Sequence, residues 1–125
     1  MLNIIQENDK DLKSAISYLK NKLPNKNVKK ILLVNPPDGD VTMFRTNVAK
    51  RGRYNNNPPY GLGVLASIAR QIGVEVEISN LNHEVLKSSS SEDFNFEETW
   101  KKEIKETIKR FNPDMVGITC LFTMT

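Results

Sequence analysis

The sequence has few residues that bind metals through sulfur or imidazole. Its 125 residues include one cysteine, Cys120, and one histidine, His83. A single cysteine cannot form an intramolecular disulfide, and it cannot build a thiolate zinc site or an iron–sulfur cluster. Thiolate metal chemistry is therefore excluded. We assign no metal ligand and no catalytic residue to this chain. His83 is expected to be a solvent-exposed loop residue without a ligand role.

The sequence also lacks a long apolar run and a strong charge of either sign. Its apolar stretches are far shorter than the roughly 20 residues that span a bilayer, and residues 1–10 mix polar and apolar side chains, unlike a signal peptide. Lys and Arg number 18 against 15 Asp and Glu, and they are scattered along the chain. These features predict a cytoplasmic protein that binds neither membrane nor nucleic acid.

Short apolar runs alternate with amphipathic segments. Residues 29–35, 74–81 and 114–125 are predicted strands, and residues 60–72 and 95–111 are predicted helices. This alternation is typical of parallel strands joined by right-handed crossovers. We predict an α/β fold, namely a Rossmann-like (flavodoxin-like) three-layer parallel sheet of order 2-1-3, with the second strand at an edge.

Local signals refine this pattern. Asn95 with Glu98 three residues later resembles a capping box at the start of the second helix. Residues 82–93 are polar and serine-rich, which predicts a loop. The first helix, 60–72, is predicted to present one apolar inner face to the sheet, made of Leu62, Leu65, Ile68, Ala69 and Ile72.

Two regions make up the predicted domain organisation. Residues 1–28 are a helical extension, with a helix over 11–23 whose apolar stripe is Leu12, Ile16, Leu19 and Leu23. Residues 29–125 are one domain. Three strands are fewer than such sheets usually have, so we expect a domain truncated after its third strand that is marginally stable and either self-associates or partly unfolds. A downstream domain or a partner chain would complete it.

Ligands of doubly wound sheets bind at the carboxyl ends of the strands, where the strand order reverses. Here that point lies between strands one and three. The edge is predicted to collect residues that follow strand one, begin the first helix and follow strand three: Asn35, Pro36, Pro37, Gly61, Leu62 and Thr119.

The segment 38–57 starts at the same edge and carries the cations Arg45, Lys50, Arg51 and Arg53. Two interpretations stay open for it. It is either a lid that covers a cofactor or reaches an anionic substrate, or a mobile solvated loop.

A family resemblance rests on three motifs in order. NPP follows the first strand, PPYGLGVLASIARQIG leads into VEVEISNLN, and PDMVGIT forms the third strand. Together they resemble the N-terminal cobalamin-binding-type domain of B12-dependent radical S-adenosylmethionine enzymes, over residues 29–125. VGITCLFT also resembles a stretch after the third strand in B12-binding domains of the methionine synthase kind. The resemblance implies that Thr119 and Thr123 offer hydroxyls to the nucleotide tail of cobalamin, with Leu121 packed beside it.

The chain departs from the methionine synthase kind after the first strand. That kind has Asp-x-His-x-x-Gly there, whereas this chain reads NPPDGDV. Bound cobalamin is therefore expected to lack a histidine ligand from this chain. No CxxxCxxC motif is present, so S-adenosylmethionine and a 4Fe–4S cluster are expected only in a downstream radical domain. The chain itself would be a non-catalytic part of a methyltransferase-like enzyme.

Two other functions remain open. The same crevice would suit a flavin or nucleotide in a flavodoxin-like domain. An open sheet edge and an amphipathic helix would instead suit a non-catalytic interaction module.

Overall fold

The computed structural model describes residues 27–120 and seven residues between 10 and 21. Those seven are helical, in agreement with the helix predicted over 11–23, but all four residues of its apolar stripe lie outside the described residues. The elements after residue 27 are, in order, β1 (Lys30–Asn35), α1 (Thr46–Lys50), α2 (Tyr60–Gln71), β2 (Glu75–Asn80), α3 (Leu81–Ser88), α4 (Phe96–Phe111) and β3 (Met115–Ile118).

The three strands form one parallel sheet of order β2-β1-β3, which confirms the predicted order 2-1-3 and the α/β, Rossmann-like fold. The register places Asn35 beside Asn80, and Val34 beside Ile118. Because both pairings are parallel, the carboxyl ends of all three strands meet at one edge of the sheet. That edge is called the carboxyl edge below.

The two long helices cover opposite faces of the sheet. Leu32 and Val34 point towards α4, where they form a buried cluster with Leu81 and Phe111, and Trp100 and Ile104 pack against that cluster. Alternation along the strands turns Asn35, Ile78 and Asn80 to the other face, which α2 covers. The result is a three-layer arrangement with its apolar core centred on β1.

The predicted inner face of α2 is partly wrong. Leu62 and Ala66 are the buried residues of this helix, whereas Leu65, Ile68 and Ile72 are 55%, 54% and 76% exposed. These three share one flank of the helix, since they lie three and four residues apart. A single helix contacts a sheet along a narrow line, and no described element covers that flank. It is called the α2 flank below.

The predicted loop over 82–93 is also wrong, since α3 occupies its first half. The Asn80 side chain accepts a hydrogen bond from the His83 backbone N–H at 3.2 Å, so the last residue of β2 is also the N-cap of α3. Leu81 and Val85 are buried, and α3 packs against α4. The helix follows the strand without a turn, so no glycine or proline in the sequence marks the boundary between them.

The second predicted helix is confirmed as α4. The Asn95 side chain accepts from the Glu98 backbone N–H at 3.0 Å, and Asn112 ends the helix in the left-handed conformation with φ 50°. Just beyond it, the Asp114 carboxylate accepts from the backbone N–H groups of Lys29 and Lys30 at 2.8 and 2.9 Å. This clip holds the start of β3 beside the start of β1.

No helix within the described part of the chain combines the length and the apolar character that crossing a membrane requires.

Candidate functional site at the carboxyl edge

Three polar side chains are joined across the carboxyl edge, one from each strand end. The Thr119 hydroxyl donates to Asn35 Oδ1 at 3.2 Å, and the Asn35 amide donates to Asn80 Oδ1 at 2.9 Å. Asn35 is only 5% exposed, while Thr119 and Asn80 are half-buried. We call Thr119, Asn35 and Asn80 the polar row.

The polar row exists because parallel pairing brings these positions side by side. Asn35 and Asn80 are register partners, and the Thr119 backbone N–H continues the ladder by donating to the Val34 carbonyl at 3.0 Å. Within the row, the amide of Asn35 uses both its donor and its acceptor. The exposed parts of Thr119 and Asn80 are the groups that a ligand can reach.

A cavity of about 530 Å³ lies at the β2 side of the polar row. It is called the first cavity, and it opens between the start of α2 and the end of β2. Its walls are mostly apolar, and Asn80 of the polar row lines it. The lining residues are Pro58, Pro59, Tyr60, Gly63, Val64, Ser67, Ile78 and Asn80.

A second cavity, of about 460 Å³, lies on the α4 face of the sheet. Pro36 and Pro37 form its wall just after β1, and Val116 and Ile118 form its wall on β3. Trp100 and the apolar face of α4 close the opposite side, while Asp40 and Glu97 provide the charged groups of the lining. The carboxyl edge is therefore flanked by an apolar cavity on each face.

Residues 38–57, called the edge loop below, are tied down at both ends by one side chain. Asn82 Oδ1 accepts from the Asp38 backbone N–H at 3.1 Å, and its amide donates to Asp38 Oδ2 at 3.3 Å and to the Asn55 carbonyl at 3.1 Å. Asn82 is 6% exposed. A buried amide with this many partners fixes both ends of the loop against the start of α3.

The middle of the edge loop is packed as well. Phe44 stacks on Tyr54 with ring centroids 5.2 Å apart, and it contacts Phe96 at the start of α4 at 4.9 Å. The Tyr54 hydroxyl accepts from the Arg45 backbone N–H at 2.8 Å. The segment also contains the short helix α1. It is a compact loop built on its own aromatic side chains, of the kind that often carries function.

The structure brings some of the predicted site residues together. Asn35 and Thr119 meet in the polar row, and Pro36 and Pro37 line the second cavity. Gly61 is exposed at the first turn of α2. Leu62, the next residue, is 4% exposed and packs under the helix, so its side chain belongs to the core. Leu121 and Thr123 lie outside the described residues.

Sequence reasoning missed Asn80 and Asn82. Each has a signal in the sequence: Asn80 is an asparagine at the end of a strand, and Asn82 begins the segment interpreted as a loop. The same misreading placed His83 in a loop, whereas it lies exposed on α3 with its Nδ1 3.0 Å from the Asn56 side-chain nitrogen.

The carboxyl edge offers neutral amides and a hydroxyl between apolar walls, which suits the binding of a large ligand with scattered polar groups. Among the described residues, no group of three or more His, Cys, Asp and Glu side chains is placed to hold a metal ion. No protein-family model, curated protein or solved structure matches the chain.

Proposed function

We propose that this chain is the cobalamin-binding domain of a B12-dependent radical S-adenosylmethionine enzyme, without a catalytic cluster of its own. The observation that carries the proposal is the polar row at the point where the strand order reverses, flanked by an apolar cavity on each face. The choice of cobalamin as the cofactor rests on the family resemblance of the motifs NPP, PPYGLGVLASIARQIG and PDMVGIT. The radical domain, with its S-adenosylmethionine and 4Fe–4S cluster, would be a downstream domain or a partner chain.

The chemistry of the carboxyl edge fits this cofactor. A corrin ring has an apolar body and a rim of amide side chains, and its nucleotide tail adds a polar end. Neutral amides and hydroxyls such as Asn80 and Thr119 both donate and accept hydrogen bonds, as amide partners require. At Gly61 a Cβ would meet nothing within 4 Å, so the backbone at the start of α2 is open to a flat ligand.

In this proposal the residues of the chain bind and orient the cofactor. The polar row, Gly61 and the proline pair Pro36 and Pro37 hold it at the carboxyl edge. The family resemblance adds Leu121 and Thr123 as predicted contacts, and both lie outside the described residues. Cobalamin, when bound, supplies a cobalt centre that carries an alkyl group. We further propose that no histidine of this chain coordinates the cobalt, because His83 sits on α3 beside Asn56 and no histidine follows β1.

Cobalamin uptake by the full chain tests the proposal. Equilibrium dialysis followed by visible absorbance gives the dissociation constant for the wild type and two variants. Thr119→Val keeps the side-chain shape and removes the hydroxyl from the polar row. Thr107→Val is the matched control, because Thr107 is buried on α4 and donates to Glu103 instead.

We expect Thr119→Val to weaken binding about three- to tenfold, the effect of one lost hydrogen bond, and Thr107→Val to leave it unchanged. Equal losses in both variants, or no uptake at all, contradict the proposal. Uptake of a flavin in its place would favour the flavodoxin-like alternative.

A separate experiment measures whether a nitrogen atom coordinates the cobalt. Paramagnetic resonance of the cob(II)alamin form shows extra hyperfine splitting when nitrogen is the axial ligand. We expect no such splitting from a histidine of this chain. A nitrogen signal that His83→Ala abolishes would make His83 a cobalt ligand.

The α2 flank favours a second candidate, a non-catalytic module that binds another copy of the chain. Leu65, Ile68 and Ile72 expose more than half of their surface at neighbouring positions, and contiguous apolar patches commonly mark interaction sites. Sedimentation velocity distinguishes the two candidates. Self-association that Ile68→Lys abolishes, and the exposed control Gln71→Lys does not, in a chain that takes up no cobalamin, would favour the interaction module.

A further inference from the structure

Four cations of the edge loop have no acidic partner among the residues that the structure describes. Ion pairs elsewhere in the described residues engage Lys30, Lys87, Lys101, Lys102 and Arg110. Within that same part of the chain, no ion pair involves Arg45, Lys50, Arg51 or Arg53, and all four are exposed. The edge loop therefore concentrates positive charge that the fold leaves uncompensated.

The two acidic residues of the loop are committed to neutral donors. Asp40 accepts from the Thr42 hydroxyl at 2.6 Å and from the backbone N–H groups of Thr42 and Met43 at 2.9 and 3.0 Å. Asp38 Oδ2 accepts from the Asn82 amide. These bonds turn both carboxylates towards their own turn and α3, so neither forms an ion pair with the loop cations.

The four cations lie within nine consecutive residues, on and next to the short helix α1. α1 has five residues, and at 1.5 Å per residue it is about 7.5 Å long. Arg45 is its N-cap and Arg51 its C-cap, with Lys50 in the last turn. Gly52, in the left-handed conformation with φ 63°, turns the chain immediately afterwards, so that Arg53 follows at the same end.

The edge loop, which carries the cations, is anchored beside the carboxyl edge. Asn82 ties both ends of the edge loop to α3, and Phe44 holds its middle against Tyr54 and Phe96. Gly39, Asp40 and Val41 of the same loop line the second cavity. A ligand in that cavity would therefore lie against the loop that carries the cations.

We propose that the edge loop is an anion-binding subsite, in which Arg45, Lys50, Arg51 and Arg53 take a phosphate group of a small molecule bound at the carboxyl edge. Three of the four cations are arginines, whose planar guanidinium groups bind phosphate oxygens in pairs. A small molecule is favoured over a nucleic acid because Phe44 and Tyr54 stack on each other and are only half-exposed, so no open aromatic surface is offered to bases. The subsite goes beyond cobalamin binding and does not depend on it.

Titration of the full chain with sodium pyrophosphate, followed calorimetrically and by backbone amide shifts, tests the subsite. The variant Arg51→Gln/Arg53→Gln removes two loop charges. Lys105→Gln/Lys109→Gln removes the same charge from the exposed face of α4, where neither lysine forms an ion pair, and serves as the control.

We expect the loop variant to weaken pyrophosphate binding at least about tenfold and the control to change it less than about twofold, since specific charge-assisted bonds outweigh diffuse charge. The shifted amides should fall within 38–57. Equal weakening in both variants, shifts spread over the surface, or no binding would overturn the subsite. Thermal melting of each variant confirms that it is folded.

The source of the phosphate is found by comparing cobalamin with cobinamide, which lacks the nucleotide tail and its phosphate. If the loop variant weakens cobalamin uptake but leaves cobinamide uptake unchanged, the subsite takes the tail phosphate. If it weakens pyrophosphate binding alone, the subsite takes a separate phosphate ligand. Pyrophosphate binding without cobalamin uptake supports the subsite and contradicts the proposed cofactor, so the two failures are distinguishable.

Discussion

The Thr119 hydroxyl donates to the Asn35 side-chain oxygen at 3.2 Å, although the two residues are 84 positions apart in the chain. The bond crosses from β3 to β1 at the point where the strand order reverses. It depends on the order β2-β1-β3, since a sheet with β2 between β1 and β3 would separate the two residues. The pair therefore links the topology of the sheet to the chemistry of the carboxyl edge.

Asn35→Asp should destabilise the protein at neutral pH by about 1–3 kcal/mol, the cost of an unsatisfied buried polar group. The carboxylate would lose the donor that contacts Asn80 Oδ1, and it would lie in a site that is only 5% exposed in the wild type. In mild acid the protonated acid regains a donor, so part of the loss should be recovered. Urea denaturation at two pH values measures both effects.

The control for this substitution is Asn57→Asp, the same chemical change at an exposed position. It should alter the free energy of unfolding by less than about 0.5 kcal/mol. Equal destabilisation by the two variants would mean that the added negative charge, and not the loss of the Asn35 donor, lowers the stability.

Asn82→Ala should release the edge loop. The substitution removes the acceptor for Asp38 N–H and the donor to the Asn55 carbonyl. We expect a loss of about 1–3 kcal/mol and faster cleavage by trypsin after Arg45, Lys50, Arg51 and Arg53. Limited proteolysis with mass-spectrometric mapping measures the cleavage rate at each site.

Asn95→Ala is the matched control, because it removes the side-chain acceptor that caps α4. Its expected cost is about 1 kcal/mol, without faster cleavage inside the edge loop. If both variants accelerate cleavage equally, global unfolding controls proteolysis and Asn82 does not hold the loop specifically.

The strands and the two long helices were predictable because their sequence signals are strong and local. β1 is a continuous apolar run stopped by two prolines, and α4 carries both a side-chain cap and a regular apolar spacing. The alternation of strands and helices predicted a parallel sheet, and the order 2-1-3 came from the flavodoxin-like fold class, since alternation alone also allows the order 1-2-3. By contrast, α3 starts directly after β2, whose last residue Asn80 is its N-cap, so the usual break between strand and helix is missing.

The candidate site was only partly predictable. Asn35 ends β1 and Thr119 follows β3. Because parallel strands end at the same edge of a sheet, these positions alone predicted that the two residues lie at one edge. The part played by Asn82 depends on contacts with Asp38 and Asn55, which lie 44 and 27 residues away in the chain. No periodicity encodes such contacts. The burial of Leu62 and the exposure of Leu65 likewise depend on which side of α2 meets the sheet.

Asn112→Ala should destabilise the chain by about 1 kcal/mol, and Asn112→Gly should be nearly neutral. Asn112 ends α4 with φ 50° and donates its backbone N–H to the Ile108 carbonyl at 2.9 Å. Alanine adopts this conformation at a steric cost that glycine avoids. Thermal and urea denaturation measure the two variants, and a stability order with glycine below alanine would contradict the role of the left-handed cap.

Asp114→Asn should change how the free energy of unfolding depends on pH in the acid range. The pKa of Asp114 is lowered from its ordinary 3.8, chiefly because its carboxylate accepts from the backbone N–H of Lys29 and then from that of Lys30. A pKa that is lower in the folded than in the unfolded chain stabilises the fold above the ordinary value, and this stabilisation is lost as the pH falls through the folded-state pKa. The wild type should therefore be more stable than Asp114→Asn at neutral pH, and the difference should shrink below pH 3.8.

Urea denaturation of both proteins across the acid range measures this difference in stability. Since Asp40, whose pKa is also lowered, is present in both proteins, its contribution cancels in the comparison. A difference that stays constant from neutral to strongly acidic pH would show that the clip acts through its hydrogen bonds without its charge.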